Sequence, residues 1–594
     1  MNKKILICIL SSALIFAKIK AESLEPIENI RIEAEKGNSE SQYELGLLYA
    51  KGNNIKQDYT EAIKWYQLSA LQGNPKAEKI LGQMYYKGIG VEQNYTDALK
   101  WTRLAAEQGL PKAQYNLGLL NYEGNGTSQD YAEAIKWYTR AAKQGDTDAQ
   151  NNLGWMYDNG KGVLQNYVEA VKWYRMAADR GDIEAQYRLG LAYELGQGVR
   201  VDDDESVRWY RVAAEHGNPM AQTSLGSLYQ RGKGVKQDFN VAGKWYRLAV
   251  DQGNGNAACL LGELYEKGNG VDQSYGEAIK LYQFAANQDN PTAECQLGAL
   301  YEKGKGVQQD YTKAIKLYKL AADQDHAVAM CNLGWMYEKG LGVEQDLSEA
   351  VKMYEMSARK GNGTAQSYLA VKFEKGEGVV LDHTEAIKWY KLAAEQGIVM
   401  AQYNLAIIYA NGEWVNQDAK EAIKLYKEAA NQGYANAMCN LGVIYQTGNG
   451  IRKNFDEALK WYKDAATRGS STAMYNLGMM YQNGIGLRQN YTEAIKWHKL
   501  SAVQGDLKAQ NNLGFLYQNG IGGYQNNKES VKWYRLAANQ GDASAQCLLG
   551  WMYEQGIGVK QSDTEGIKWY KLAANQGNST AQNNLQLIYR KTSK

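Results

Sequence analysis

Histidine is scarce: four in 594 residues, His216, His326, His383 and His498, with no H-E-x-x-H motif and no Cys/His cluster. A zinc site or a His-based triad has little to be built from, so no metal, cofactor or catalytic activity is expected. Proline (5) and phenylalanine (6) are nearly as rare, against 61 glycines, 44 tyrosines and 15 tryptophans. Usage this skewed points to one small unit copied many times. An excess of one charge is missing too, with 67 Lys and Arg against 65 Asp and Glu. A near-neutral chain carries no nucleic-acid footprint. Long apolar runs are confined to the first residues, where Lys3 and Lys4 precede an uncharged stretch from Ile5 to Ala17. As a helix that stretch rises only about 20 Å, short of the roughly 30 Å hydrocarbon core. Residues 1–21 therefore read as a cleavable signal peptide ending at Ala21. The expected mature chain is exported, to the periplasm or outside the cell, as a monomer with no stable membrane insertion.

What is abundant is regularity. Leu-Gly recurs at Leu45-Gly46, Leu81-Gly82, Leu117-Gly118 and Leu153-Gly154, and the leucine continues every 36 residues to Leu585 without insertion or deletion. A fixed period of this length means a solenoid. Within one unit, Ala149, Leu153, Met156 and Tyr157 fall at i, i+4, i+7 and i+8, the apolar stripe of a helix A. Gly154 in that helix costs about 1 kcal/mol of propensity against alanine, so its repetition implies another helix packed closely there. Helix B opens on Asn166 with Glu169 three residues on, a capping box repeated at Asp58/Glu61 and Asp130/Glu133, with Lys313 after Asp310 as an exception. Glycines such as Gly145, Gly181 and Gly217 close helix B, and Asn38 or Asp146 cap the next helix A. The prediction is an all-α, right-handed α/α solenoid superhelix of about fifteen helix-turn-helix repeats over 38–577. Residues 22–37 and 578–594 supply capping helices.

The pattern A-x-x-x-L-G-x-x-Y-x-x-G-x-G-V-x-Q-D-Y-x-E-A-x-K-W-Y-x-x-A-A-x-Q-G resembles the Sel-1-like repeat family, a relative of the tetratricopeptide repeats, over residues 22–594. That resemblance implies a scaffold or adaptor without chemistry of its own. Its exported bacterial members suggest host proteins, envelope proteins or cell-wall components as partners, hence a role in virulence or host interaction. Some cysteine-rich members have a disulfide within each repeat, but Cys259, Cys295, Cys331, Cys439 and Cys547 come one per repeat, always two before the leucine. Copies of one position should stand about 8–10 Å apart, too far for a disulfide, so none is expected.

With the leucine in the core, the positions two before, two after and five after it lie on the opposite side of helix A. By resemblance to tetratricopeptide arrays, this side lines a concave surface that holds extended peptides or helices. Two after the leucine stand Trp155, Trp335 and Trp551, with Phe515 and Met479; five after it stand Asp158, Glu194, Glu266, Glu302, Glu338, Glu374 and Glu554. Tryptophan on such a face is either a binding anchor or a ring shielded by neighbouring repeats. Asparagine precedes the leucine at Asn116, Asn152, Asn332, Asn404, Asn440, Asn476, Asn512 and Asn584. A carboxamide there suits either the backbone of a bound peptide or a neighbouring helix. The acids would favour a basic or neutral partner, or are simply solvated.

A basic residue precedes the helix B Trp-Tyr pair in all fifteen units, from Lys64 and Lys100 through Arg208 to Lys568. Glu61 and Lys64 are spaced for an i, i+3 ion pair. The alternative is a convex ridge binding cell-wall glycan or lipopolysaccharide. The Trp of the pair becomes Leu281, Leu317, Met353 and Leu425, an exchange that core packing tolerates. Loops such as Gly160-Lys161-Gly162 lack the strand and the G-K-[ST] ending of a phosphate cradle. A β-lactamase-like hydrolase is a remote further reading, with no distinctive S-x-x-K site to support it. Ala370 and Ala406 replace the helix A glycine, Trp414 replaces a loop glycine, and Asp289 and Asp325 replace closing glycines. Altered packing is expected near 365–415, with a local binding role for Trp414.

Overall fold

The computed structural model describes residues 27–52, 55–523 and 525–592, with side chains as far as 590. The signal-peptide reading of 1–21 and the start of the expected N-terminal cap lie outside these. Residues 27–35 are helical. From there helices alternate, beginning with Ser39–Lys51 and Tyr59–Leu71 and running to Ala543–Gln555 and Asp563–Asn575, before a last helix Ser579–Thr592. The described residues contain no strand. The fold is an α/α solenoid. It packs as two compact units, one through Leu300 with Gly304–Gln308, the other Tyr301–Lys303 with Gln309–Lys594.

Most boundaries have a local cause, although the helices that follow Leu110, Ile398 and Tyr434 start without a side-chain cap. Asp146 Oδ1 accepts from Ala149 N at 2.9 Å to start a helix A, and Asn166 Oδ1 accepts from Glu169 N at 3.1 Å to start a helix B. Asp310 caps through Lys313 N at 2.9 Å, so the cap survives loss of the glutamate. Helix A ends at a left-handed residue such as Gly160, φ 65°, whose N–H reaches Met156 O. Asp289, Asp325 and Trp414 adopt positive φ of 56°, 67° and 62° without being glycine, a strain that L residues seldom carry.

The helix A glycine is fixed by packing. A Cβ at Gly154 would lie 2.6 Å from Cδ1 of Tyr174, the second residue of the helix B pair. That tyrosine is the centre of most repeats: Tyr66, Tyr246, Tyr318 and Tyr390 are among those 0% exposed. A ladder of buried glutamines ties the pairs together. Gln144 Nε2 donates to Gln114 Oε1 at 2.8 Å, and Gln114 Nε2 donates to the Ala106 carbonyl at 3.1 Å.

In the stretch 365–415, helices keep their usual lengths, and Ala370 and Ala406 are fully buried. The irregularity lies beside them. Lys372 occupies the core column filled elsewhere by Met156 or Leu228, and its ammonium meets Glu377 at 2.8 Å and Glu338 at 3.3 Å. Trp414 stacks on His383 with centroids 3.8 Å apart and planes 5° from parallel.

Candidate functional site

Tyr390 shows what the acid and asparagine columns do in much of the array. Its hydroxyl donates to Glu374 and accepts from Asn404 Nδ2 at 3.2 Å. Glu266, Glu302 and Glu338 likewise accept from Tyr282, Tyr318 and Tyr354 at 2.9, 2.6 and 2.9 Å. Asp158, Glu194 and Glu554 accept from Tyr174, Tyr210 and Tyr570. Burial, and then the facing carboxylate, hold Tyr282 and Tyr354 well above the usual phenol value. Asn440 Nδ2 donates to Tyr426 at 3.2 Å, Asn476 to Cys439 Sγ at 3.9 Å, and Asn512 to Gln482 Oε1 at 2.7 Å. Asn332 is engaged as well. These side chains are half-buried and turned towards the array's own core and neighbouring helices.

The large aromatics divide. Trp335 stacks on Tyr368 at 25° and 6.2 Å with Lys339 Nζ 4.6 Å above its ring. Trp551 packs on the core around Leu549 and Tyr570. Phe515 is 48% exposed. Trp155 borders an open cavity.

That cavity lies in repeats 111–182, within a stretch 75–182 whose A helices are Pro75–Lys87, Pro111–Glu123 and Thr147–Asn159. It measures about 400 Å³ and is lined by Tyr115, Leu119, Tyr122, Tyr138, Asn152, Trp155 and Met156. Tyr122 meets the Trp155 ring edge-on at 6.1 Å and 81°. Leu119 also borders a second cavity of about 170 Å³, formed with Gly82, Gln83, Tyr86, Lys87, Thr102, Asn116 and Leu120. Three expected residues, Asn116, Asn152 and Trp155, are thus brought together, and the acid column is interrupted there by Tyr86 and Tyr122. Tyr86 donates to Glu123 at 2.8 Å; burial, and then this carboxylate, push its phenol up to about 12. Asn116 Nδ2 is buried and has no hydrogen-bond partner. Its usual partner is absent because Thr102 stands where thirteen of the fifteen repeats carry tyrosine. Reading the second residue of the Trp-Tyr pair along the chain, rather than the first, would have exposed this.

The basic ridge is largely neutralised by its neighbours. Lys136, Arg208, Lys280, Lys388 and Lys424 pair with the glutamate three residues earlier at 2.7 to 3.0 Å. The five cysteines of the repeats are buried free thiols, and burial pushes Cys259 and Cys331 up to about 12 and Cys439 to about 11, leaving little thiolate. Among the described residues no cluster of three His, Cys, Asp or Glu is placed to hold a metal, and no helix is long and apolar enough to cross a membrane.

The Sel1 repeat model matches fifteen consecutive segments, from 39–74 to 543–578. A crystal structure of a protective antigen present in uropathogenic Escherichia coli strains is 33% identical, covering 82% of this chain and 97% of that one, with a TM-score of 0.54. A Sel1 repeat protein from Oxalobacter formigenes is 32% identical over 52% of this chain and 90% of its own, with a TM-score of 0.42. No curated protein shows significant sequence similarity. With its period, its glycine-on-tyrosine packing and fifteen matched segments in agreement, the chain belongs to the Sel1 repeat family.

Proposed function

We propose that this chain is an exported, non-enzymatic adaptor that holds an extended segment of a partner protein on the helix A face of repeats 75–182. The observation that carries this reading is the pair of adjoining cavities at Asn116, Leu119, Asn152 and Trp155, where the internal tyrosine network is interrupted. Tryptophan and tyrosine offer large rigid anchors, and carboxamides suit a peptide backbone whatever its side chains. The replacement of acids by Tyr86 and Tyr122 favours a segment of little charge. The Escherichia coli relative's description as a protective antigen accords with a surface met by a host. Panning a random-peptide display library on residues 22–594 tests this. Enriched peptides should lose binding to a still-helical Trp155→Ala chain. Peptides that bind both chains equally and are released by moderate salt would instead assign recognition to the basic ridge.

A further inference from the structure

The 170 Å³ cavity has the outline of a group that the fold supplies elsewhere for itself. In the next repeat Tyr138 lies on Gly118, with 2.6 Å between its Cδ1 and the place of a Cβ, and its surroundings include Asn152, Trp155 and Met156. The cavity wall holds the residues one period earlier: Gly82, Asn116, Leu119 and Leu120. Thr102 takes the place of the tyrosine but stops at Oγ1, so a cavity remains beyond it and Asn116 Nδ2 has no acceptor within the protein. A void of about 150 Å³ lined by apolar groups is enough to admit benzene, so a six-membered ring fits. A buried donor without a partner disfavours a ligand that brings no acceptor, which selects a phenol over a plain phenyl ring. The half-buried Gln83 and Tyr86 and the exposed Lys87 leave the wall accessible from the helix A side.

We propose that this cavity is a socket for the side chain of a tyrosine on the partner segment, its ring laid over Gly82 and its hydroxyl oxygen accepting from Asn116 Nδ2. The proposal rests on the reading of the helix A face as the partner surface and gives that surface its specificity.

The substitution Thr102→Tyr fills the socket with the residue that thirteen repeats already carry, so the chain should fold at least as well as its parent. Saturation-transfer NMR with N-acetyl-tyrosinamide and N-acetyl-phenylalaninamide at millimolar concentration reads the site directly. The tyrosine probe should bind at least about 10-fold more tightly than the phenylalanine probe, as expected for a site whose buried polar group would be left unpaired. Thr102→Tyr should abolish binding of both, and Asn116→Leu should bring the two probes to parity. No tyrosinamide binding, equal affinity for the two probes in the parent, or undiminished binding to Thr102→Tyr would each overturn the socket. Display peptides that need Trp155 but bind the Thr102→Tyr chain as tightly as the parent would leave the partner surface standing and remove the socket. Tyrosinamide binding lost in Thr102→Tyr, with no peptide dependent on Trp155, would do the reverse.

Discussion

Where thirteen repeats bury a tyrosine, the repeat 75–110 has Thr102 and the repeat 471–506 has His498. His498 keeps a flat ring against Gly478, is 0% exposed, and has its Nε2 met by Gln482 at 3.2 Å and Asn512 at 2.8 Å. Thr102 keeps no ring, and the corresponding asparagine, Asn116, has nothing to bond. The difference shows what the surface columns answer to. Asn and Glu on the helix A face are held in much of the array by the buried ring beneath them, and the surface opens where that pairing fails, at Thr102, which has no ring, and at Tyr138, whose hydroxyl has no partner within the protein. Binding capacity then comes from a local gap in an otherwise self-satisfied array.

The comparison breaks most severely if its two members can be interconverted. His498→Ala should remove the ring, leave Asn512 short of a partner and cost about 3–5 kcal/mol, as large-to-small core changes do. Repeat arrays lose stability locally, so hydrogen exchange of the helix Tyr491–Val503 is the measurement; unchanged protection would show that the ring does not organise its repeat. Acid sharpens the same contrast. Burial pushes His498 down to about 4, while an unfolded histidine titrates near 6.5, so each lost pH unit between favours the unfolded chain by about 1.4 kcal/mol. Local stability should be complete above about pH 6.5, fall as pH drops towards 4 by about 3 kcal/mol, and then level off. His498→Tyr should remove that dependence, and an equally steep profile in the variant would refute the assignment.

A smaller effect is expected at Glu78, which replaces the ladder glutamine in the repeat with Thr102. It is 2% exposed, accepts from Gln108 at 2.8 Å, and burial raises its carboxyl above the ordinary value. The carboxylate therefore costs stability at neutral pH, and the cost fades as pH falls into the usual carboxylate range. Glu78→Gln should stabilise the chain by about 1 kcal/mol at pH 7, because the carboxamide would donate to the Ala70 carbonyl as Gln42 does to Ala34. A loss in the unfolding midpoint would contradict this. At the other extreme, Lys64 is solvent-exposed and paired with Glu61 at 2.5 Å, and exposed pairs of this kind contribute little. Lys64→Ala should leave the midpoint unchanged in low and moderate salt; a clear salt-dependent drop would make the ridge structural.

The repeat was legible because most boundaries are set locally: a cap side chain, a closing glycine, and an apolar stripe at helical spacing. Asp146, Asn166 and Gly160 do what their residue types suggest. The site was legible only in part. Sequence spacing puts Trp155, Trp335 and Asn404 on equivalent faces, but spacing does not show what a neighbouring repeat turns towards them. Asn404 meets Tyr390 from the preceding repeat, Trp335 meets Tyr368 from the next, and Trp155 borders a cavity. Lys372 reads as an ordinary surface lysine until its place in the core column and its two carboxylates are seen together. What carries the site is a missing ring at Thr102, and an absence is visible only against the other fourteen copies.

Hydrogen exchange of the full chain with and without a Trp155-dependent display peptide tests the account most directly. Protection confined to Pro75–Lys87, Pro111–Glu123 and Thr147–Asn159 is the predicted result. Protection along the B helices, or centred on Ala327–Lys339 around Trp335, would contradict it.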